Sequence, residues 1–480
     1  MADGGEAEAA APVLAVDLDG TLLRSDMLHE TFLSACTRNK AAPLLALGAL
    51  LKGRTALKQK LAALAEIDPA TLPYNRDVLA KIEEWKARGA RIVLVTATVQ
   101  PLAEDVARHL GHFDEVYGSD GRLNLKGQEK AQLLVSRFGE RGFAYAGNSA
   151  DDLPVWEKSS EAIVLGSDKL CARAASLAPK IVRIEAGGNT AAALLRAMRP
   201  HQWLKNLLVF IPALAAHRFD AATLMASLQA FIGFCLIASA SYLVNDLLDL
   251  AADRRHPWKR RRPFAAGDAS IGSGILLALV ALLSGLGLAA SLKPDFLALL
   301  AFYFALTLAY SLWLKHFAIV DICVLSGLYS LRIFGGAVMT GIPVSVWLLA
   351  FSIFFFLSLA AVKRQAELVA SLAEGNGKMW ARGYSTADIP LVGSLLVASG
   401  MVSVLVVVLY ASSPPVRMLY NGPEWLLGVA FVLLYWIARV AMMTHRGQMH
   451  DDPVVFAAKD PISYVCMALV AAFLVAGTLF

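Results

Sequence analysis

Asn245-Asp246-Leu247-Leu248-Asp249-Leu250-Ala251-Ala252-Asp253 closes an apolar run and decides how the second half of the chain is read. Asp246, Asp249 and Asp253 step by three and four residues, and Asn245, Asp249 and Asp253 by four. A helix of 3.6 residues per turn therefore puts all four side chains on one face. Three acids on one face repel each other and are costly beside a hydrocarbon layer. The arrangement is favourable if a divalent cation such as Mg²⁺ bridges the acids to a diphosphate and neutralises both.

Outward from this stretch the chain is apolar. Of its 480 residues, 57% are hydrophobic and 17% charged, and the excess is confined to the region beyond about residue 204. Apolar runs near 204–217, 225–247, 272–292, 296–313, 318–338, 344–361, 391–411, 425–443 and 462–480 predict about nine membrane helices, the first of them short. Basic residues gather in alternate loops: Arg254, Arg255, Lys259, Arg260, Arg261 and Arg262; Lys315; Lys363, Arg364, Lys378 and Arg382; Arg446 and Lys459. The opposite loops hold Arg218, Lys293 and Arg417. This is a positive-inside pattern, so the net charge of +5 points to a membrane and not to nucleic acid. The amino terminus, MADGGEAEAAAP, lacks the basic-then-apolar pattern of a signal peptide and predicts a cytosolic first domain. Five cysteines, Cys36, Cys171, Cys235, Cys323 and Cys466, show no paired spacing and predict neither a disulfide framework nor a zinc site.

Residues 1–200 have the pattern of a soluble α/β protein. Val13-Leu14-Ala15-Val16 reads as a buried parallel strand breaking into Asp17-Leu18-Asp19-Gly20-Thr21. Arg91–Val95 is a second strand, ending in Thr96. Gly142–Ala146 is a third, followed by Gly147-Asn148-Ser149-Ala150-Asp151-Asp152. Ligands bind at the carboxyl ends of such strands, and these ends deliver an acid pair, a hydroxyl and an acidic cluster. That set suits phosphoryl transfer with a carboxylate nucleophile, a second carboxylate as proton shuttle and Mg²⁺. Residues between the first two strands, especially 29–64, read as a small helical cap.

These motifs resemble the haloacid dehalogenase superfamily over roughly residues 12–185. The resemblance implies Asp17 as nucleophile, Asp19 as general acid/base and Thr96 as the phosphate-binding hydroxyl. It implies Lys130 as the motif lysine, with Lys126 as competitor, and Asp17, Asp19, Asn148 and Asp152 around the metal. Asn148 stands where the superfamily usually has Asp; an amide ligates without adding charge.

The acid face, followed by Arg255-His256-Pro257-x-Lys259-x-x-Arg262-Pro263, resembles the UbiA superfamily of intramembrane transferases over residues 199–480. Asp246, Asp249 and Asp253 are then metal ligands and Asn245 a substrate contact. The second Asp-x-x-x-Asp pair usual in aromatic prenyltransferases is missing. In its place come Tyr310, Lys315, Asp321 and Arg332, then Lys363, Arg364 and Glu367, with Lys205 near the entry. Together with Arg255, Lys259 and Arg262 these are the expected substrate contacts, and they resemble the decaprenyl-phosphate phosphoribosyltransferase branch. That likeness implies phosphoribosyl diphosphate as donor and a polyprenyl phosphate as acceptor. A multi-domain protein is therefore expected: a tail (1–11), a Rossmann-like phosphatase domain with helical cap (12–190), a linker (191–203) and an all-α transmembrane domain (204–480). Its place would be a bacterial-type inner membrane with the first domain cytoplasmic. An aromatic polyprenyltransferase, or a non-catalytic regulatory role for the first domain, are the alternatives.

Overall fold

The computed structural model describes residues 11–120, 124–185, 190–373, 383–449 and 452–480. Lys378, Arg382 and most of the expected 1–11 tail lie outside them. The chain divides into two compact units, Met1–Ala197 with Asp246–Leu277, and Met198–Asn245 with Ala278–Phe480.

The first unit is built on strands β1 (Val13–Val16), β2 (Arg91–Val99), β3 (Glu115–Ser119), β4 (Ala144–Gly147), β5 (Glu161–Leu165) and β6 (Ile181–Ile184). They form one parallel sheet of order β3-β2-β1-β4-β5-β6. Every residue of β1 is buried, as a strand covered on both faces requires. Its side chains alternate between two cores, Leu14 and Val16 joining Ile92 and Leu94, and Val13 and Ala15 joining Val93 and Tyr145. Strand order reverses between β1 and β4, paired at Leu14 and Ala144, and opens the crevice that holds ligands in such sheets.

Three helices follow β1, as the helix-rich stretch predicted: α1 (Met27–Arg38), α2 (Ala42–Leu50) and α3 (Arg54–Leu64). Ala35, Ala42, Ala46 and Leu61 make their small core. The segment Asp246–Leu277 belongs to this unit. Arg254 grips Glu30 of α1 through both terminal nitrogens, at 2.6 and 3.0 Å, with both side chains nearly inaccessible. Arg255 reaches Asp68 at 3.1 Å.

Among the described residues, eight helices are long and apolar enough to cross a membrane: Ala221–Leu248, Ile271–Leu292, Pro294–Leu312, Val320–Thr340, Val346–Ala373, Thr386–Ala411, Trp425–His445 and Pro461–Leu479. The expected first span, near 204–217, is different. It is a 3₁₀ stretch, Pro200–Phe210, running into a short helix, Ile211–Ala215. Lys205 and Asn206 are buried within it, which is why its apolar run looked short. It lies against the helix Val320–Thr340 so closely that a Cβ on Gly336 would sit 1.9 Å from the Val209 carbonyl oxygen. Only glycine permits that backbone approach. The helical unit packs around Val209, Phe234, Phe296, Leu300 and Tyr303, and around Ile322, Phe356, Leu396 and Ile437. The α/β domain and the all-α membrane bundle are the fold classes the sequence predicted.

Candidate active sites

In the α/β unit, β1 delivers Asp17 at its carboxyl end, where the Asp17 N–H donates to Ala146 of β4 at 3.0 Å. The chain then turns through Gly20 at φ 73°. A Cβ there would lie 2.2 Å from Asn148 Nδ2, so glycine brings the Asp17–Asp19 turn against the β4 loop. Asp17 is buried and takes an ion pair from Lys130 at 2.7 Å. Lys130 also donates to the Tyr145 hydroxyl at 2.9 Å, which donates on to Asp152 at 2.7 Å. Asp19 accepts from the Met27 N–H at 2.7 Å, at the first turn of α1, and from the Thr98 hydroxyl at 2.8 Å.

Burial pushes both acids up. Asp17 rises to about 6 against the opposing charge of Lys130. Asp19 rises to about 7 through burial and then through the like charges of Asp26 and Asp17. Two carboxylates whose environments separate them around neutrality can divide nucleophile and proton-donor roles. They open into a cavity of about 530 Å³, lined also by Arg54 and Lys58 of α3.

The expected site residues fall in three groups. Asp17, Asp19, Lys130, Asn148 and Asp152 line this cavity together. Asp152 stands a layer back, its Oδ2 accepting from the N–H groups of Asn148 and Ser149 at 3.1 and 2.9 Å. Thr96 does not line the cavity; it is fully buried and accepts from the Thr98 N–H at 3.0 Å. The hydroxyl that faces the acids is Thr98, because β2 continues to Val99 and does not end at Thr96. Lys126 pairs with Asp151 at 2.9 Å, which leaves Lys130 as the lysine on the nucleophile. Arg54 and Lys58 went unread, although their four-residue spacing puts them on one face of α3.

The helix Ala221–Leu248 is followed by a turn at Asp249 and a short helix Leu250–Arg255, and from Asp246 onward this stretch belongs to the α/β unit. Asp246 and Asp253 stay within reach of one cation across that break. Arg262, expected as a substrate contact, ties Asp246 and Asp253 together at 3.1 and 2.6 Å. Burial raises the Asp253 carboxyl, and nearby Asp246 adds to the rise against Arg262. Arg255 reaches Asp68, and Lys259 opens an exposed 3₁₀ turn.

Two polar clusters of the helical unit gather expected site residues. Arg364 and Asp321, both fully buried, meet at 2.6 and 2.8 Å. Tyr310 donates to Asp321 at 2.9 Å, and Glu367 accepts from Arg364. In the second cluster Lys205 and Lys363 converge on Asp452, at 2.7 and 3.6 Å. These lysines hold Asp452 down at about 2 although burial opposes them. Asp452 was not among the expected site residues; standing next to Pro453 and outside any regular apolar pattern, it carried little periodic signal. Arg332 is bound to Asn206 at 2.8 Å and Tyr303 at 2.7 Å, inside the packing. Lys315 lies half-buried on the 3₁₀ turn Leu314–His316, and Asn245 half-buried near the end of its helix.

Among the described residues no three His, Cys, Asp or Glu side chains are grouped as a metal site. Two neighbouring carboxylates raised chiefly by burial, Asp19 also by the charges of Asp26 and Asp17, with the Asn148 amide alongside, nevertheless fit a divalent cation that needs further oxygens from substrate and water. Asp246 and Asp253, two buried acids that already share the cation of Arg262, offer oxygens of the same kind. When bound there, Mg²⁺ neutralises phosphate oxygens and a departing diphosphate.

Residues 206–368 match the UbiA prenyltransferase family, and residues 14–157 match the haloacid dehalogenase-like hydrolases. The protein named y4nM of Sinorhizobium fredii is 40% identical over 465 residues, 95% of this chain and 89% of that one. Nodulation protein NoeC of Azorhizobium caulinodans is 37% identical over 274 residues, 56% of this chain and 88% of that one. Decaprenyl-phosphate phosphoribosyltransferase of Mycobacterium tuberculosis is 43% identical over 194 residues, 39% of this chain and 64% of that one. Helices fit to cross a membrane, acids at the end of one of them and relatives of this kind lead to one conclusion: the chain is an integral membrane enzyme that belongs to the UbiA prenyltransferase family, preceded by a haloacid dehalogenase-like hydrolase domain.

Proposed function

We propose that the enzyme transfers 5-phosphoribose from phosphoribosyl diphosphate to a polyprenyl phosphate, and that its first domain then removes the 5-phosphate from the product. The observation that carries the reading is the convergence of Lys205 and Lys363 on Asp452, two lysines on one carboxylate in a UbiA-type bundle. A prenyl diphosphate brings one phosphorylated end, whereas the phosphoribosyl donor brings a second phosphate and the acceptor a third. The likeness to decaprenyl-phosphate phosphoribosyltransferase supports the same choice.

In the transfer, an oxygen of the lipid phosphate forms a bond to the anomeric carbon of ribose while the bond from that carbon to pyrophosphate breaks. Asp246, Asp249 and Asp253 would hold the cation that stabilises the departing pyrophosphate. In the second step Asp17 attacks phosphorus, and Asp19 gives its proton to the leaving ribose oxygen. Water then attacks the aspartyl phosphate, Asp19 takes a proton from it, and Asp17 and orthophosphate are released. Lys130 keeps Asp17 ionised and oriented.

The sidedness follows from the basic loops. With the eight helices taken as spans, the loops after the first, third and seventh share one side, and their basic residues support a cytoplasmic reading of that side. The first domain shares a compact unit with Asp246–Leu277, so it is cytoplasmic only if the chain crosses once before Ala221. Eleven 3₁₀ residues and five α-helical ones reach about 30 Å, enough for that crossing.

The test is to reconstitute the full chain in vesicles containing polyprenyl phosphate and supply ribose-labelled phosphoribosyl diphosphate with Mg²⁺. Label is expected in the lipid fraction. Label confined to the aqueous phase, while isoprenoid diphosphate and a hydroxybenzoate react, would establish an aromatic prenyltransferase instead.

A further inference from the structure

Helix α2 of the cap is amphipathic in reverse. Its buried positions, Ala42, Ala46 and Ala49, recur at helical spacing and are all small. The large side chains point outward: Leu44 is 75% exposed, Leu47 57%, and Leu51, just past the helix, 85%. A water-facing helix puts its large apolar residues inside, so this face is built for an apolar surrounding.

Two observations identify that surrounding. Helix α1 of the same cap is fixed at both ends of the segment that joins two membrane spans. Glu30 holds Arg254, just beyond the span that ends at Leu248, and the His29 ring rests on Gly272, the second residue of the span Ile271–Leu292. A Cβ at residue 272 would lie 3.3 Å from His29 Cε1. The cap is therefore tied to the segment that joins two helices long and apolar enough to cross a membrane. Secondly, basic residues flank the leucines on both sides, Lys40 before α2 and Lys52 and Arg54 after it (Arg38, also before it, is paired with Glu66), matching the anionic headgroups that border an apolar layer.

We propose that the leucine face of α2 seats in the membrane interface and opens the phosphatase cavity to phosphates carried on lipids. Leu50 and Arg54, at the end of α2 and the start of α3, both line that cavity. A lipid-borne phosphate entering past α2 would keep its hydrocarbon among leucines while its phosphate reaches Asp17. The choice of substrate rests on the phosphatase reading above; the seating of α2 in lipid does not.

The experiment has two readouts on the full chain in vesicles. A phospholipid with a photoactivatable acyl chain is irradiated, and labelled peptides are mapped by mass spectrometry. Label on residues 42–53 is expected. Label on the spans but none on α2, or α2 cross-linked to a second copy of the chain, overturns the proposal. In the second readout, a Leu44→Asp/Leu47→Asp/Leu51→Asp variant is assayed on ribose 5-phosphate and on phosphoribosyl lipid. Hydrolysis of the soluble ester is expected within twofold of the parent, and that of the lipid at least tenfold lower. Equal loss on both, or on neither, contradicts a lipid-facing mouth. If the parent protein hydrolyses neither ester, the phosphatase reading fails and the photolabelling alone decides whether α2 sits in lipid.

Discussion

Arg364→Met removes the cation at the centre of a fully buried cluster. Arg364 and Asp321 each have an accessible side-chain area of zero, and their contacts at 2.6 and 2.8 Å engage both carboxylate oxygens. Taking away one member of such a pair leaves a buried charge without its counter-ion, at a cost of about 3–5 kcal/mol. At roughly 2–4 °C per kcal/mol for a unit of this size, the melting temperature should fall by about 6–20 °C. Replacing both members by apolar residues removes the stranded charge, so Arg364→Met/Asp321→Leu should regain most of the loss. Transferase activity should stay absent in both variants, because the cluster is read as a phosphate- and ribose-binding element as well as a packing one. The assay is thermal unfolding of the detergent-solubilised protein, followed by tryptophan fluorescence, beside ribose transfer to lipid. A single variant as stable as the parent refutes the energetic argument. A double variant that transfers ribose at the parental rate refutes the functional one.

Three further outcomes follow. Thr98→Val removes the hydroxyl that holds the Asp19 carboxyl in place, a hydrogen bond worth about 0.5–1.5 kcal/mol, and should lower phosphate release about twofold to tenfold with transferase activity unchanged; undiminished release would exclude a role for this hydroxyl. The phosphatase step needs Asp17 ionised and Asp19 protonated, so its rate should climb as pH rises towards about 6 and decline as pH passes about 7. Bound Mg²⁺ draws both limbs lower, and a rate still rising above pH 8 contradicts the assignment. Gly336→Ala places a methyl carbon against the Val209 carbonyl and should destabilise the bundle by at least about 1–3 kcal/mol, read as a lower melting temperature; an unchanged one would show that the 3₁₀ segment can move away freely.

Much of this was legible because the signals are local. Val13–Val16 followed by Asp-x-Asp-Gly-Thr carries strand, turn and nucleophile within nine residues, and Asp246 to Asp253 carry a helix face. What escaped depended on where the chain goes next. Thr96 looked like the end of a strand because Ala97 and Thr98 are small and weakly apolar, yet the parallel pairing of β2 with β3 continues as far as Val99 and Ser119. The first span looked short because Lys205 and Asn206 interrupt it, and only tertiary partners, Asp452 and Arg332, make those residues acceptable inside. Arg262 is an expected substrate contact, and its ion pairs with Asp246 and Asp253 are a further role that its place in a basic run does not reveal. Long-range ion pairs such as Arg254 with Glu30, 224 residues away, leave no trace in periodicity.

The two-step account is tested most directly by weighing the lipid product of the full protein and of its Asp17→Asn variant by mass spectrometry, after incubation with phosphoribosyl diphosphate, polyprenyl phosphate and Mg²⁺. The parent should yield a ribosyl lipid without its 5-phosphate, and the variant the same lipid with that phosphate retained. Identical products from both proteins, or no ribose on the lipid at all, would contradict the account.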